Sequence, residues 1–240
     1  SVWLESVPAT YLKDVTIIPD IDNDCVVVKL DKSSDVTAEI IVADNGVTKA
    51  KVSCDRDTAT ISMTDYELWC PENPKLYDLV IKVGDDIVKS YFGMRKFSVV
   101  TDKMGFKRLG LNNKPYFHTG VLDQGYWSDG MLTPPSNSAL EYDVKLVKSM
   151  GFNMIRKHIK IEPLRWYYHC DKEGILVWQD MVSGGEKYGL LYIGFLAFFE
   201  YHVKDDSPSQ YKKFGRQNAD GRAEFERELR ETMNYLKNVV

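Results

Sequence analysis

The chain has 240 residues, 44% of them hydrophobic and 28% charged, with a formal net charge of −4. That length holds one large domain or two of ordinary size, and the balance belongs to a globular protein rather than a disordered one. So small a negative charge argues against nucleic-acid and anionic-membrane partners, and no apolar run reaches the ~20 residues that span a bilayer. The longest candidate, from Leu190, is interrupted at Glu200.

Residues 1–13, with no initiator Met, read as a linker or the tail of a preceding domain. From Asp14 to Val100 the chain is a series of short β-runs: VTIIP, CVVVKL, VTAEIIVAD, VTKAKVS, TATISM, YDLVIKVG and IVKSYFGMRKFSVV. Asn45-Gly46 is a strong hairpin signal, and Gly84-Asp85-Asp86 marks a second. Runs at this spacing, with no helical stretch between them, predict an immunoglobulin-like β-sandwich over 14–100. LWCPENPKLY, with two prolines, reads as a corner where Trp69 and Tyr77 cover one end of the core.

The rhythm changes over 101–240. PYFHTGVLD (115–123) reads as a strand, and 138–150 as a helix capped by Ser138 or Asn137. FNMIRKH follows as a strand, then a helix opened by Pro163 and closed by Gly174, then the strand ILVWQD. After a long segment (181–220), RAEFERELRETMNYLKNVV gives a third amphipathic helix. Serial β–α units predict a parallel sheet, either doubly wound or a (β/α)8 barrel. The barrel reading leaves about three of eight units here, with Asn238-Val239-Val240 as the start of a fourth strand. An incomplete TIM barrel from a longer protein is therefore expected, and its open strand edge predicts self-association.

Ligands bind at the C-terminal ends of parallel strands. Those ends carry Asp123, Gln124, Tyr126 and Trp127 on the first strand, Arg156 and His158 on the second, and Trp178, Gln179 and Asp180 on the third. Acids, an amide, a guanidinium and indole faces suit a polyhydroxylated ligand, since charged groups bond hydroxyls and an indole packs on a sugar's C–H face. Each has a plainer reading. Asp180 can cap the following turn, Trp127 and Trp178 can be core aromatics, and Arg156 and His158 can form a structural ion network. Alternation sends residues 156 and 158 to one side with Met154. His118 reads as a satisfied core histidine, and His169 and His202 carry no role. The 181–220 segment is either a rim over the site or an aromatic-rich insert. Cys25, Cys54, Cys70 and Cys170 lack metal-ligand spacing and read as small buried hydrophobes, so compartment stays open between cytoplasmic and exported. No phosphate-binding loop, dinucleotide fingerprint, nucleophile elbow or HExxH motif is present.

These motifs, in this order, resemble glycoside hydrolase family 2, the β-galactosidases, β-glucuronidases and β-mannosidases. LWCPENPKLYDLVIKV with YFGMRKFSV resembles the end of that family's immunoglobulin-like domain. KPYFHTGVLDQGYW and GFNMIRKHIKIEPLRWYYHCDKEGILVWQDM resemble the first units of its catalytic barrel, and the opening SVWLESVPATYLKDVTIIPDID resembles the junction with its jelly-roll domain. The resemblance implies retaining hydrolysis of β-linked sugars by two glutamates about 5 Å apart, which lie at the ends of the family's fourth and seventh barrel strands. Both are expected beyond Val240, so no catalytic residue is assigned, and Glu186 and Glu200 are not substitutes. Arg156 matches a substrate-pocket arginine of the family. His158 follows it by two residues rather than three, and Asp123 and Gln124 occupy the first loop without the family's usual identities. No cofactor or metal is expected, and a carbohydrate substrate is. The alternative is a non-catalytic carbohydrate-binding or structural module.

Overall fold

A computed structural model describes residues 4–182, 184–187, 194–196, 198–199 and 207–240. Seven strands build the first unit: β1 (Leu12–Asp20), β2 (Cys25–Lys32), β3 (Ala38–Asp44), β4 (Val47–Cys54), β5 (Thr58–Ser62), β6 (Tyr77–Val83) and β7 (Asp86–Phe92). They form two antiparallel sheets, ordered β1-β2-β5 and β4-β3-β6-β7. Alternation decides what each strand buries: Tyr77, Leu79, Ile81 and Val83 of β6 and Ile40 and Val42 of β3 meet Val26, Val28 and Leu30 of β2 in one core. Each such aliphatic side chain contributes roughly 1.5–3 kcal/mol by leaving water. This is the expected sandwich. Asn45 (φ +48°) and Gly46 (φ +81°) form the predicted turn between β3 and β4, both in the left-handed region that a type I′ hairpin needs. The proline-rich corner also forms, with Trp69 and Tyr77 buried and the Tyr77 hydroxyl accepting the Glu67 N–H at 2.8 Å.

The run IVKSYFGMRKFSVV is not one strand. β7 stops at Phe92, and β8 (Phe97–Thr101) belongs to a separate sheet with β9 (Lys107–Leu111) and β10 (Lys114–Pro115), ordered β10-β9-β8. Gly93 lies at the break, where the chain passes tightly between neighbours: a Cβ there would lie 2.8 Å from Val240 Cγ1 and 2.9 Å from Trp69 Cβ. Residue 100 thus falls inside β8, and the expected boundary there cuts a strand. The stretch 115–123 shortens likewise. Its first residues pair back to β9 across an Asn112-Asn113 turn (φ +53° and +64°), and only Gly120–Asp123 (β11) joins the parallel sheet.

That sheet runs β11–β12–β13, with β12 at Met154–Lys157 and β13 at Leu176–Gln179, all parallel. Its rungs are Leu122–Arg156–Trp178 and Asp123–Lys157–Gln179. Helix α1 (Asn137–Ser149) starts one residue earlier than expected, because Ser136 Oγ accepts the Ala139 N–H at 3.1 Å. Helix α2 (Leu164–Glu173) opens after Pro163 and ends at Gly174 in the left-handed region (φ +72°), as its sequence predicts. Helix α3 (Ala219–Leu236) is capped by Asn218. Of the 181–220 segment, 183, 188–193, 197 and 200–206 lie outside the described residues, and so does His202. Among the described residues no helix is long and apolar enough to cross a membrane.

Candidate functional site at the parallel strand ends

The two-residue period of β12 sorts its charges. Ile155 and Lys157 turn toward the helices and are buried, Ile155 packing with Leu140, Val144, Trp166 and Cys170. Met154 and Arg156 therefore turn to the opposite side of the sheet, which Leu122 and Trp178 share through their rung, with 53% and 45% exposure. Asp180, two residues past Trp178, meets Arg156 there. Arg156 Nε and Nη2 donate to Asp180 Oδ1 and Oδ2 at 2.9 and 3.0 Å, a bidentate fork. The fork lowers the Asp180 pKa and raises that of Arg156. Trp178 Nε1 donates to His118 Nδ1 at 2.8 Å, so His118 carries any proton of its neutral ring on Nε2, and burial pushes its pKa down.

The predicted residues do not all converge. β12 ends at Lys157, so His158 lies just past the strand, half-buried, its backbone N–H donating to Asp123 O at 2.9 Å. The next residue, Ile159, has φ +44°, a costly conformation for a β-branched side chain. Asp123 faces the helix side: its Oδ2 takes the Lys157 ammonium at 2.5 Å and its Oδ1 the Gly125 N–H at 2.7 Å. Trp127 packs against the helix-side core, which supports its reading as a core aromatic, although its buried Nε1 has no partner among the described residues. Gln124 is exposed in the loop. Arg156, Trp178 and Asp180 share one face, with His158 at its margin.

Beneath that face runs a polar network the sequence reading missed. Lys157 Nζ also reaches Glu162 Oε1 at 3.0 Å and sits 4.1 Å above the Trp166 ring. Lys160 Nζ bridges Glu162 Oε1 at 2.8 Å and Gly125 O at 2.7 Å. The Tyr167 hydroxyl accepts the Glu162 N–H at 3.3 Å and donates to Gln179 Oε1 at 2.5 Å, while Gln179 Nε2 donates to Lys160 O at 2.9 Å. All three strand ends are tied together. The signal was present in the alternation, which separates Lys157 from Arg156. Below the exposed side lies an apolar cavity of about 370 Å³ bordered by Phe97, Leu109, His118, Trp178, Leu236 and Val240. Among the described residues no three His, Cys, Asp or Glu side chains converge as metal ligands.

Residues 10–95 match the family "Glycosyl hydrolases family 2". A β-galactosidase of Halalkalibacterium halodurans is 26% identical over 199 residues, which cover 75% of this chain and 19% of that protein. The β-galactosidase large subunit of Lactobacillus acidophilus is 28% identical over 192 residues, 73% of this chain and 30% of its own length. Among solved structures, a β-D-glucuronidase of Dictyoglomus thermophilum superposes over 97% of this chain and 37% of its own, with a TM-score of 0.75 and 19% identity. The β-glucuronidase of Faecalibacterium prausnitzii has a TM-score of 0.62 and 27% identity over 71% of this chain and 28% of its own. The chain thus spans about a fifth to a third of the length of these curated relatives.

Proposed function

We propose, on the premise that this chain belongs to glycoside hydrolase family 2, that it is the portion of a retaining β-glycosidase supplying the sandwich and the first three β–α units of a catalytic barrel. In this reading residues 1–13 follow a preceding sugar-binding domain, 14–100 are the immunoglobulin-like domain, and 101–240 open the barrel. The small share of each relative that the chain covers supports the partial reading.

One observation carries the functional assignment: a bidentate Arg156–Asp180 fork beside a half-exposed Trp178, at the C-terminal ends of parallel strands. A fork of this kind offers hydrogen-bond donors and acceptors side by side, and the indole offers an apolar plate for a sugar ring. The face binds rather than reacts. Retaining hydrolysis needs two carboxyl groups about 5 Å apart, one of them free to attack, whereas Asp180 here is claimed by Arg156 and Asp123 by Lys157. His158, Gln124, Asp123 and Trp127 belong to the loops that frame the face.

The test is an assay of the 240-residue chain on aryl β-glycosides alongside ligand-observed NMR with simple sugars. No turnover above background, together with saturation transfer to sugar protons that is lost in Trp178→Ala, is expected. Clear turnover by the purified chain would overturn the assignment of this face to binding alone. Among the described residues β11 and β13 are the edge strands of their sheet, which also predicts concentration-dependent association, read by sedimentation.

A further inference from the structure

We infer that His118 is a positioning residue of the strand-end face: it holds the Trp178 indole by accepting its N–H, and a second proton on the imidazole releases that indole. The effect on ligand binding rests on the carbohydrate reading above, whereas the positioning itself does not.

His118 precedes β11, half-buried, and its Nδ1 accepts from Trp178 Nε1 at 2.8 Å. The two rings are steeply inclined, with centroids 5.7 Å apart and planes at 67°. An indole has one N–H and no acceptor, so His118 takes the only conventional hydrogen bond that the Trp178 side chain can make. Tyr116 packs against the imidazole at 5.9 Å and is itself tethered, its hydroxyl donating to Glu72 Oε1 at 2.6 Å. The imidazole thus stands between a fixed phenol and the half-exposed indole.

Protonation reverses the contact. A neutral imidazole accepts at one nitrogen, whereas an imidazolium donates at both, so Nδ1–H would face Nε1–H. The cation meets the indole at its N–H edge and gains no attraction to the π-face in exchange. Burial pushes the His118 pKa below its ordinary 6.5, so the bond is intact at neutral pH and is lost as pH falls through the lowered value. The surrounding groups hold their charge over that range. Burial pushes the pKa values of Tyr116 and Tyr167 up and both stay neutral, while the Arg156 fork keeps that of Asp180 low and its carboxylate ionised. Arg156, and Arg95 at the border of the same cavity, remain cations.

The experiment follows the Trp178 indole N–H of the 240-residue chain by nitrogen-edited NMR from pH 8 to pH 4.5, assigned by its loss in Trp178→Phe. Binding of methyl β-galactoside and methyl β-glucuronide is measured over the same range by ligand-observed NMR. His118→Asn keeps an acceptor and cannot titrate, His118→Phe keeps a ring and cannot accept, and circular dichroism checks that each folds. In wild type the indole signal should titrate with a midpoint below pH 6.5, and sugar affinity should fall about five-fold with the same midpoint. His118→Asn should hold both signal and affinity level with pH, which separates the effect from His158, present in every variant. His118→Phe should bind about five-fold more weakly than wild type at pH 8. A wild-type indole signal that does not titrate, or a folded His118→Phe with wild-type affinity, overturns the inference. Dependence on pH that survives in folded His118→Asn overturns it as well. A titrating indole with neither sugar bound at any pH overturns the carbohydrate reading and leaves the positioning of Trp178 standing.

Discussion

Tyr91, on the last strand of the sandwich, donates its hydroxyl to Oδ2 of Asp171 on α2 at 2.8 Å, across the join between the sandwich and the parallel sheet. The same oxygen accepts the Val240 N–H at 3.1 Å, and the Asp171 carbonyl accepts Trp69 Nε1 at 2.8 Å. Asp171 is fully buried and its Oδ1 has no partner among the described residues. One residue therefore gathers the corner tryptophan on its backbone carbonyl, and the final sandwich strand and Val240 on its carboxyl.

Burial raises the Asp171 pKa to about 7, with the Val240 N–H, the Tyr91 hydroxyl and Arg95 each opposing the rise. An unfolded aspartate titrates near ~3.9, so the folded chain holds this proton more tightly. The sign follows: the group's contribution to stability is fully present below about pH 4 and is lost as pH rises through about 7. Asp171→Asn mimics the protonated form. Its stability relative to wild type should therefore improve by roughly 2–4 kcal/mol between pH 5 and pH 8, measured by urea unfolding. Parallel curves for the two proteins over that range would refute it.

Lys157 lies between two carboxylates, beside a fully buried Trp166. Lys157→Met should destabilise by about 3–5 kcal/mol, because it leaves Glu162 charged and buried with one partner fewer. Adding Glu162→Gln should restore part of that loss, and thermal unfolding of the two variants checks both statements. No recovery in the double variant would place the cost in packing instead.

Asn238 acts as a substitute strand. Its side chain accepts the Ile17 N–H and donates to the Val15 carbonyl, each at 2.9 Å, so the outer edge of β1 is paired by an amide. Asn238→Ala should cost about 1–3 kcal/mol and speed amide exchange at Ile17. Unchanged exchange there would show that the edge does not depend on the contact.

Much of this was legible. Asn45-Gly46 specified its turn, period-two alternation specified β6, and Pro163 and Gly174 bounded α2 within a residue. What escaped was set by distant partners. Nothing local in YFGMRKF shows that Gly93 must slip between Trp69 and Val240, and so the break after β7 was read through. Asp171, inside an amphipathic helical pattern, gives no sign that Tyr91 waits for it eighty residues away. The strand-end residues were found by position, but Asp123, on the rung of buried Lys157, faces the helices by alternation, and Trp127 packs on the same side.

The rung Leu122–Arg156–Trp178 works as a ruler, since neighbouring strands lie ~4.8 Å apart and successive residues alternate sides. Sliding β13 by one residue against β12 would bring Gln179 to the open side and drive Trp178 in among the helices. The lengths of the connections on either side of α1 and α2 are therefore as constrained as the residues they deliver. An insertion that an ordinary surface loop would absorb would here exchange one face of the sheet for the other.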